Sequence, residues 1–144
     1  MKLFLKRFIF YLISFTWGGL MSIIGLIVLI ATLPFGKFGV YHGRIYKIIG
    51  EDWGGLNLGC FFLCDGFATD RIKTHECGHG IQNCIWGPLM PFFISIPSAI
   101  RYWHRRYLYK YNKPKYCKMP GYDSVWFERQ ATRLGLDYII SDKF

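Results

Sequence analysis

The chain has 144 residues, of which 52% are hydrophobic, 19% aromatic and only 19% charged, with a formal net charge of +9. That length suits one modest domain, and the composition is too apolar for an ordinary soluble domain of this size, so it points to a membrane protein. Five cysteines (Cys60, Cys64, Cys77, Cys84 and Cys117) form no CxxC pair and are odd in number, so neither a disulfide framework nor a zinc ribbon is indicated.

Lys2, Lys6 and Arg7 precede an uncharged run from Phe8 to Leu33. A helix needs about 20 apolar residues to cross a bilayer, and this run exceeds that. It is too long for the apolar core of a signal peptide, and no A-x-A-like cleavage site follows. The expectation is a retained transmembrane helix within an anchor over 1–34, ended by Pro34, with one domain over 35–144. Val40–Ile49 and Leu56–Leu63 carry β-branched and aromatic residues on either side of a Gly-rich connection, which predicts one β-hairpin over about 40–63.

A helix is predicted over about 70–86. Thr69 or Asp70 can cap its start, and Gly87-Pro88 closes it. Residues 88–100 are uncharged but hold Pro88, Pro91 and Pro97. They are too short to span, so a re-entrant or core helix is expected. Residues 101–120 read as a basic interfacial loop, with Arg101, Arg105, Arg106, Lys110, Lys113, Lys115 and Lys118 and no acid through Lys118. Tyrosines between these bases suit anionic headgroups of a lipid bilayer, which is favoured here over nucleic acid. A last helix is predicted over about 124–134, capped by Ser124 and ended by Gly135. The fold class is mainly α with a small β-hairpin.

The chemistry concentrates in His75-Glu76-Cys77-Gly78-His79. Histidines at i and i+4 share a helix face, with attachment points about 5–6 Å apart, which suits two ligands on one Zn2+. Glu76 falls beside the metal, where it can move a proton to and from water. Cys77 would compete with better-placed histidines. Gly78 and Gly80 are poor helix formers, so a substrate or a packed strand is expected to approach them.

A third ligand is needed, and Asp65, Asp70, Asp123, Glu128, Asp137, His42 and His104 are the options. Glu128 leads. It shares a helical face with Val125, Ala131 and Thr132, and a carboxylate on an apolar face is costly unless paired or metal-bound. Its alternative is a salt bridge to a base of the 101–120 segment. His42 and His104 read as surface or interfacial groups.

"THECGHGIQNCIWGPLMPFFISIPSAI" followed by "YDSVWFERQATRLG" resembles a group of small bacterial and phage-borne membrane proteins. Their pattern is a His-Glu-x-Gly-His helix followed by Gln and Gly-Pro-Leu, a Pro-Ser-containing apolar helix, and Trp-x-Glu-x-x-Ala. That group is similar to reduced gluzincin metallopeptidases. The resemblance covers about residues 53–135. It implies a membrane-anchored, zincin-like domain with His75, His79 and Glu128 as Zn2+ ligands and Glu76 as catalytic base. The implied reaction is hydrolysis of a peptide or membrane-protein substrate. The expected location is the bacterial inner membrane, with the positive charge beyond the anchor favouring the cytoplasmic side. Gluzincins often carry an acid shortly after the ligand glutamate to hold a histidine, and Thr132 stands there instead. A hydroxyl accepts that bond without charge, which implies weaker metal affinity. Tyr122 or Tyr138 could stabilise an oxyanion, and no spacing selects between them. A zinc-stabilised structural or interaction protein without turnover is the alternative function. Either function requires residues 85–100 to return to the face they left, because a spanning segment would separate His79 from Glu128.

Overall fold

The apolar N-terminal run does not form one helix. In the computed structural model, which describes residues 2–142, it forms α1 (Lys2–Phe15) and α2 (Gly19–Ala31), bent by 94° at their junction. The expected single transmembrane helix is therefore corrected. Among the described residues no single helix is long and apolar enough to cross a membrane. Gly18-Gly19 weakens the helix locally. Tertiary contacts then hold the break: Asn83 donates to the Gly18 carbonyl at 3.1 Å, and the Trp17 indole donates to the Ile85 carbonyl at 3.3 Å. Both helices bury one face, with Phe10 and Ser14 on α1 and Met21, Ser22 and Leu29 on α2. Their other faces leave Phe4, Phe8, Leu12, Ile23, Ile27 and Ile30 exposed. The ammonium of Lys47 closes the end of α2 by donating to the Thr32 carbonyl, as a cation does well at a helix C-terminus.

Four strands follow: β1 (Lys37–Tyr41), β2 (Arg44–Ile48), β3 (Gly55–Leu58) and β4 (Phe61–Cys64), in the sheet order β1-β2-β4-β3. The expected single hairpin is in fact two. His42 and Gly43 have φ of 47° and 79°, the pair of positive values that a tight two-residue hairpin turn demands. Gly59, with φ of 72°, begins the turn of the second hairpin. The hairpins join through a parallel pairing of β2 with β4, where the Tyr46 and Phe62 rings stack at 5.1 Å. β3 is left as an edge. Asp65 accepts the backbone N–H groups of Trp53, Gly54 and Phe67 at 2.7–2.8 Å and so fixes the loop leading into β3.

The remaining chain is helical. α3 (Asp70–Trp86) starts at Thr69, whose side chain makes no cap bond, and ends at Gly87, where φ is 54°. A 3-10 turn over Gly87–Leu89 and a π-helical turn over Pro91–Ser95 lead into α4 (Ile96–Tyr111). The chain bends by 120° between Leu89 and Pro91, so α4 folds back instead of continuing the direction of α3. The basic segment is not the expected loop. α4 continues to Tyr111 and α5 (Lys113–Cys117) follows, because 98–111 contains no glycine or proline and includes the helix formers Ala99, Arg101, Arg105, Arg106, Leu108 and Lys110.

α6 (Trp126–Asp142) runs through Gly135 rather than ending there. Gly135 serves close approach. A Cβ on it would overlap the Thr74 carbonyl oxygen, and one on Gly78 would overlap the Ala131 carbonyl oxygen. α3 and α6 thus meet backbone to backbone, with Ala131 fully buried between them. The neighbour of Gly78 is a helix, where a substrate or strand was expected. Gly80 faces the Arg44 guanidinium and the Gly59 carbonyl. Arg44 is itself buried, stacked 3.4 Å from the Phe10 ring centroid and 4.5 Å from that of Tyr138, and so ties α1, β2 and α6 together.

This contact reverses an ordinary expectation. Gly→Ala in an open helix interior stabilises by about 0.5–1 kcal/mol. Gly78→Ala should instead destabilise, since overpacking costs about 1–3 kcal/mol. Thermal melts of the two proteins check this, and a variant melting at or above the parent would contradict the packing described.

Candidate metal centre

α3 turns His75 and His79 toward α6, where Glu128 is 0% exposed. The Nε2 atoms of His75 and His79 lie 3.0 and 3.3 Å from the same Glu128 oxygen, Oε2. One donor atom from each of the three residues falls within 4.8 Å of the others, so the group could hold a metal ion. Ligand bonds of about 2.0–2.1 Å around a tetrahedral zinc place neighbouring donors roughly 3.4 Å apart. The two imidazole-to-carboxylate separations come close to that.

The supporting bonds suit a metal as well. Gln82 Nε2 donates to the Phe127 carbonyl at 2.8 Å and to Gln130 Oε1 at 2.9 Å. This orients its own Oε1 to His79 Nδ1, at 2.7 Å. A carbonyl oxygen only accepts, so Nδ1 carries the hydrogen, and in the neutral ring Nε2 keeps its lone pair for an ion. His75 Nδ1 lies 2.8 Å from Thr132 Oγ1, so the hydroxyl does stand where an acid was absent. Ser98, on α4, donates to Glu128 Oε1 at 2.5 Å.

Burial alone would raise the Glu128 carboxyl, but the bonds from His75 and His79 outweigh it and hold the group well below the usual carboxylate range. Burial would lower His79, and the Glu128 and Glu76 carboxylates overcome that and raise it above its ordinary 6.5. Glu76 is 6% exposed, and its burial raises its carboxyl.

The signs give a pH window. His79, raised when folded, stabilises fully below pH 6.5, and that contribution is lost as pH rises through its folded value. Glu128, depressed when folded, stabilises above its ordinary 4.5, and that contribution is lost as pH falls. Chelated protein should therefore melt highest between these limits. Zinc affinity should instead climb as pH rises past 6.5, because the ion must displace the His79 proton. Melts and competitive zinc titrations across this range check both trends, and a pH-independent affinity would contradict the second.

The other residues considered lie elsewhere. Cys77 is fully buried outside the ligand group, its thiol pushed up to about 11 by burial. His42 sits in the β1–β2 turn, 2.9 Å from Asp142, and His104 is exposed on α4. Asp70 and Asp137 are exposed, each close to a lysine or arginine of its own helix. Asp123 faces Arg71 at 3.9 Å. Among the described residues no Lys or Arg pairs with Glu128, so the alternative salt bridge is not formed.

Tyr122 stands against His75, with ring centroids 5.9 Å apart, and burial together with the Glu128 charge raises its hydroxyl. Tyr138 points away and donates to the His42 carbonyl. Gln82 and Ser98 were missed as functional residues. Gln82 is three positions after His79 and so on the same face, a usable signal. Nothing in the spacing of 88–100 selects Ser98.

Two cavities meet at this centre. The smaller, about 150 Å³, is mostly apolar and includes Trp53, Leu56, Met90 and Trp103, with Glu76 and His79 also on its wall. The larger, about 800 Å³, is a cleft between α3 and α4 that takes in His75, Glu76 and Tyr122. No protein-family model, curated protein or solved structure matches the chain.

Proposed function

We propose that the protein is a membrane-associated zinc peptidase. The observation that carries this reading is the convergence of His75, His79 and Glu128 from two helices, with Glu76 beside them where two cavities join. A zinc ion held there would polarise a carbonyl and acidify a water molecule. Glu76 takes the proton of the attacking water and delivers it to the leaving amine. Its burial raises the carboxyl toward the range where one group can do both. Gln82 and Thr132 hold the imidazoles, and Ser98 holds the Glu128 carboxylate. The smaller cavity admits one medium apolar side chain, since a void of about 150 Å³ accepts a group the size of benzene.

The membrane part of the proposal rests on exposed apolar surface. The outer faces of α1 and α2 leave Phe4, Phe8, Leu12, Ile23, Ile27 and Ile30 exposed, and Ile96, Ile100, Trp103 and Tyr107 are exposed on α4; exposed apolar residues in such number suit a membrane surface. A bent α1–α2 pair lying in the bilayer, with Lys113, Lys115 and Lys118 at α5 meeting anionic headgroups, accounts for that exposure. The bilayer proposed is the bacterial inner membrane, with the catalytic domain on the cytoplasmic side.

The test is turnover of a membrane-protein or peptide substrate by zinc-loaded protein, with Glu76→Gln as control. A zinc-stabilised scaffold uses the same three ligands but has no need of Glu76, and the control separates the two readings.

A further inference from the structure

The larger cleft has a charge of its own. Arg105, Arg106 and Lys110 line it from α4, and Arg71 lines it from α3. Two of these face acids: Arg106 lies 3.8 Å from Asp52, and Arg71 lies 3.9 Å from Asp123. Arg105 and Lys110 have no carboxylate within 4 Å among the described residues. Arg105 is also held in place. It donates to the Pro120 carbonyl at 2.7 Å, and its guanidinium lies 5.4 and 5.8 Å from the Tyr116 and Tyr122 ring centroids. Tyr122 in turn packs on His75. An oriented cation thus stands one side chain away from the candidate metal ligands.

The opposite side of α4 has a different character. Ile96, Ile100, Trp103, Tyr107 and Tyr111 follow one another at helical spacing and are exposed. Arg105 and Tyr109 lie about half a turn away from that stripe and line the cleft. The apolar stripe suits lipid, Arg105 leaves α4 on the side opposite to it, and Lys110 borders the cleft from the edge of the stripe.

We propose that this cleft binds an acidic segment of a peptide substrate and directs cleavage to a bond beside it. This rests on the peptidase reading for its chemistry, but the binding itself does not. Two internally quenched peptides, identical except that a run of Glu in one is Gln in the other, provide the probe for full-length, zinc-loaded protein in neutral detergent. The Glu peptide should show a kcat/KM about tenfold higher, equivalent to about 1.4 kcal/mol, carried mainly by KM. Added salt should shrink the difference, because screening shortens the reach of exposed charges. Arg105→Glu/Lys110→Glu, and the milder Arg105→Gln/Lys110→Gln, should erase it while leaving zinc content and the rate on the Gln peptide unchanged. Equal rates on the two peptides, or a preference that survives both double variants, would overturn the proposal.

If neither peptide is cleaved, the peptidase reading fails separately, and anisotropy of the fluorescein-labelled Glu peptide decides the binding. Binding to the parent that disappears in the double variants supports the site. No binding, or binding indifferent to the variants, overturns it. The lipid alternative has its own signature: phosphatidylglycerol vesicles held by the parent and lost by the double variants, with the Glu peptide bound by neither, which also overturns the proposal.

Discussion

Replacing Glu128 by alanine is expected to strip the protein of zinc and to cost several kcal/mol of stability. Glu128 is fully buried and is the point on which both imidazoles and Ser98 converge. Without it only two donors face the ion, one short of the three protein ligands that a catalytic zinc retains. The loss extends to the metal-free protein. His79 is buried and raised by its carboxylate neighbours, and removing one partner of a buried pair costs about 3–5 kcal/mol. Glu128→Gln preserves shape but not charge, so it should hold zinc more weakly than the parent and melt closer to it than the alanine variant does. Zinc per chain by mass spectrometry, with melts before and after chelation, reads both effects. Full zinc occupancy in Glu128→Ala would remove Glu128 from the centre.

The second large effect separates chemistry from metal binding. Glu76→Gln should lower kcat by about 10²–10⁴-fold, the usual contribution of a positioned acid–base group, with zinc content unchanged. Glu76 lies on the walls of both cavities and outside the group of three donors. Its carboxylate also sits close against the β3 edge, where a Cβ on Gly55 would come within 2.6 Å of Oε1. An amide of the same shape fills that space but cannot take a proton from water. Unchanged turnover in Glu76→Gln would end the peptidase reading and leave the zinc-stabilised scaffold.

Tertiary packing overrode local signals at several places. Gly135 looked like a helix stop, yet α6 continues through it, because the missing side chain is what lets the Thr74 carbonyl approach. The run from Phe8 to Leu33 looked long enough to span, yet Asn83 and Trp17 hold a bend in its middle. His42-Gly43 lay inside a predicted strand, and its turn is visible only once both hairpins pair in one sheet. Ser98 reaches Glu128 only because the chain folds back after Leu89.

By itself, the order of residues determined the α3 helix, the shared face of His75 and His79, and the choice of Glu128 as the acid with most need of a partner. These follow from helical spacing and from the cost of a buried charge, which are local properties. Only the tertiary structure decided that α6 lies against α3, which imidazole nitrogen Gln82 leaves free, and where the bases of α4 point. Those depend on segments 11 to more than 50 residues apart meeting at contact distance, and that is governed by what each side chain packs against rather than by what precedes it in the chain.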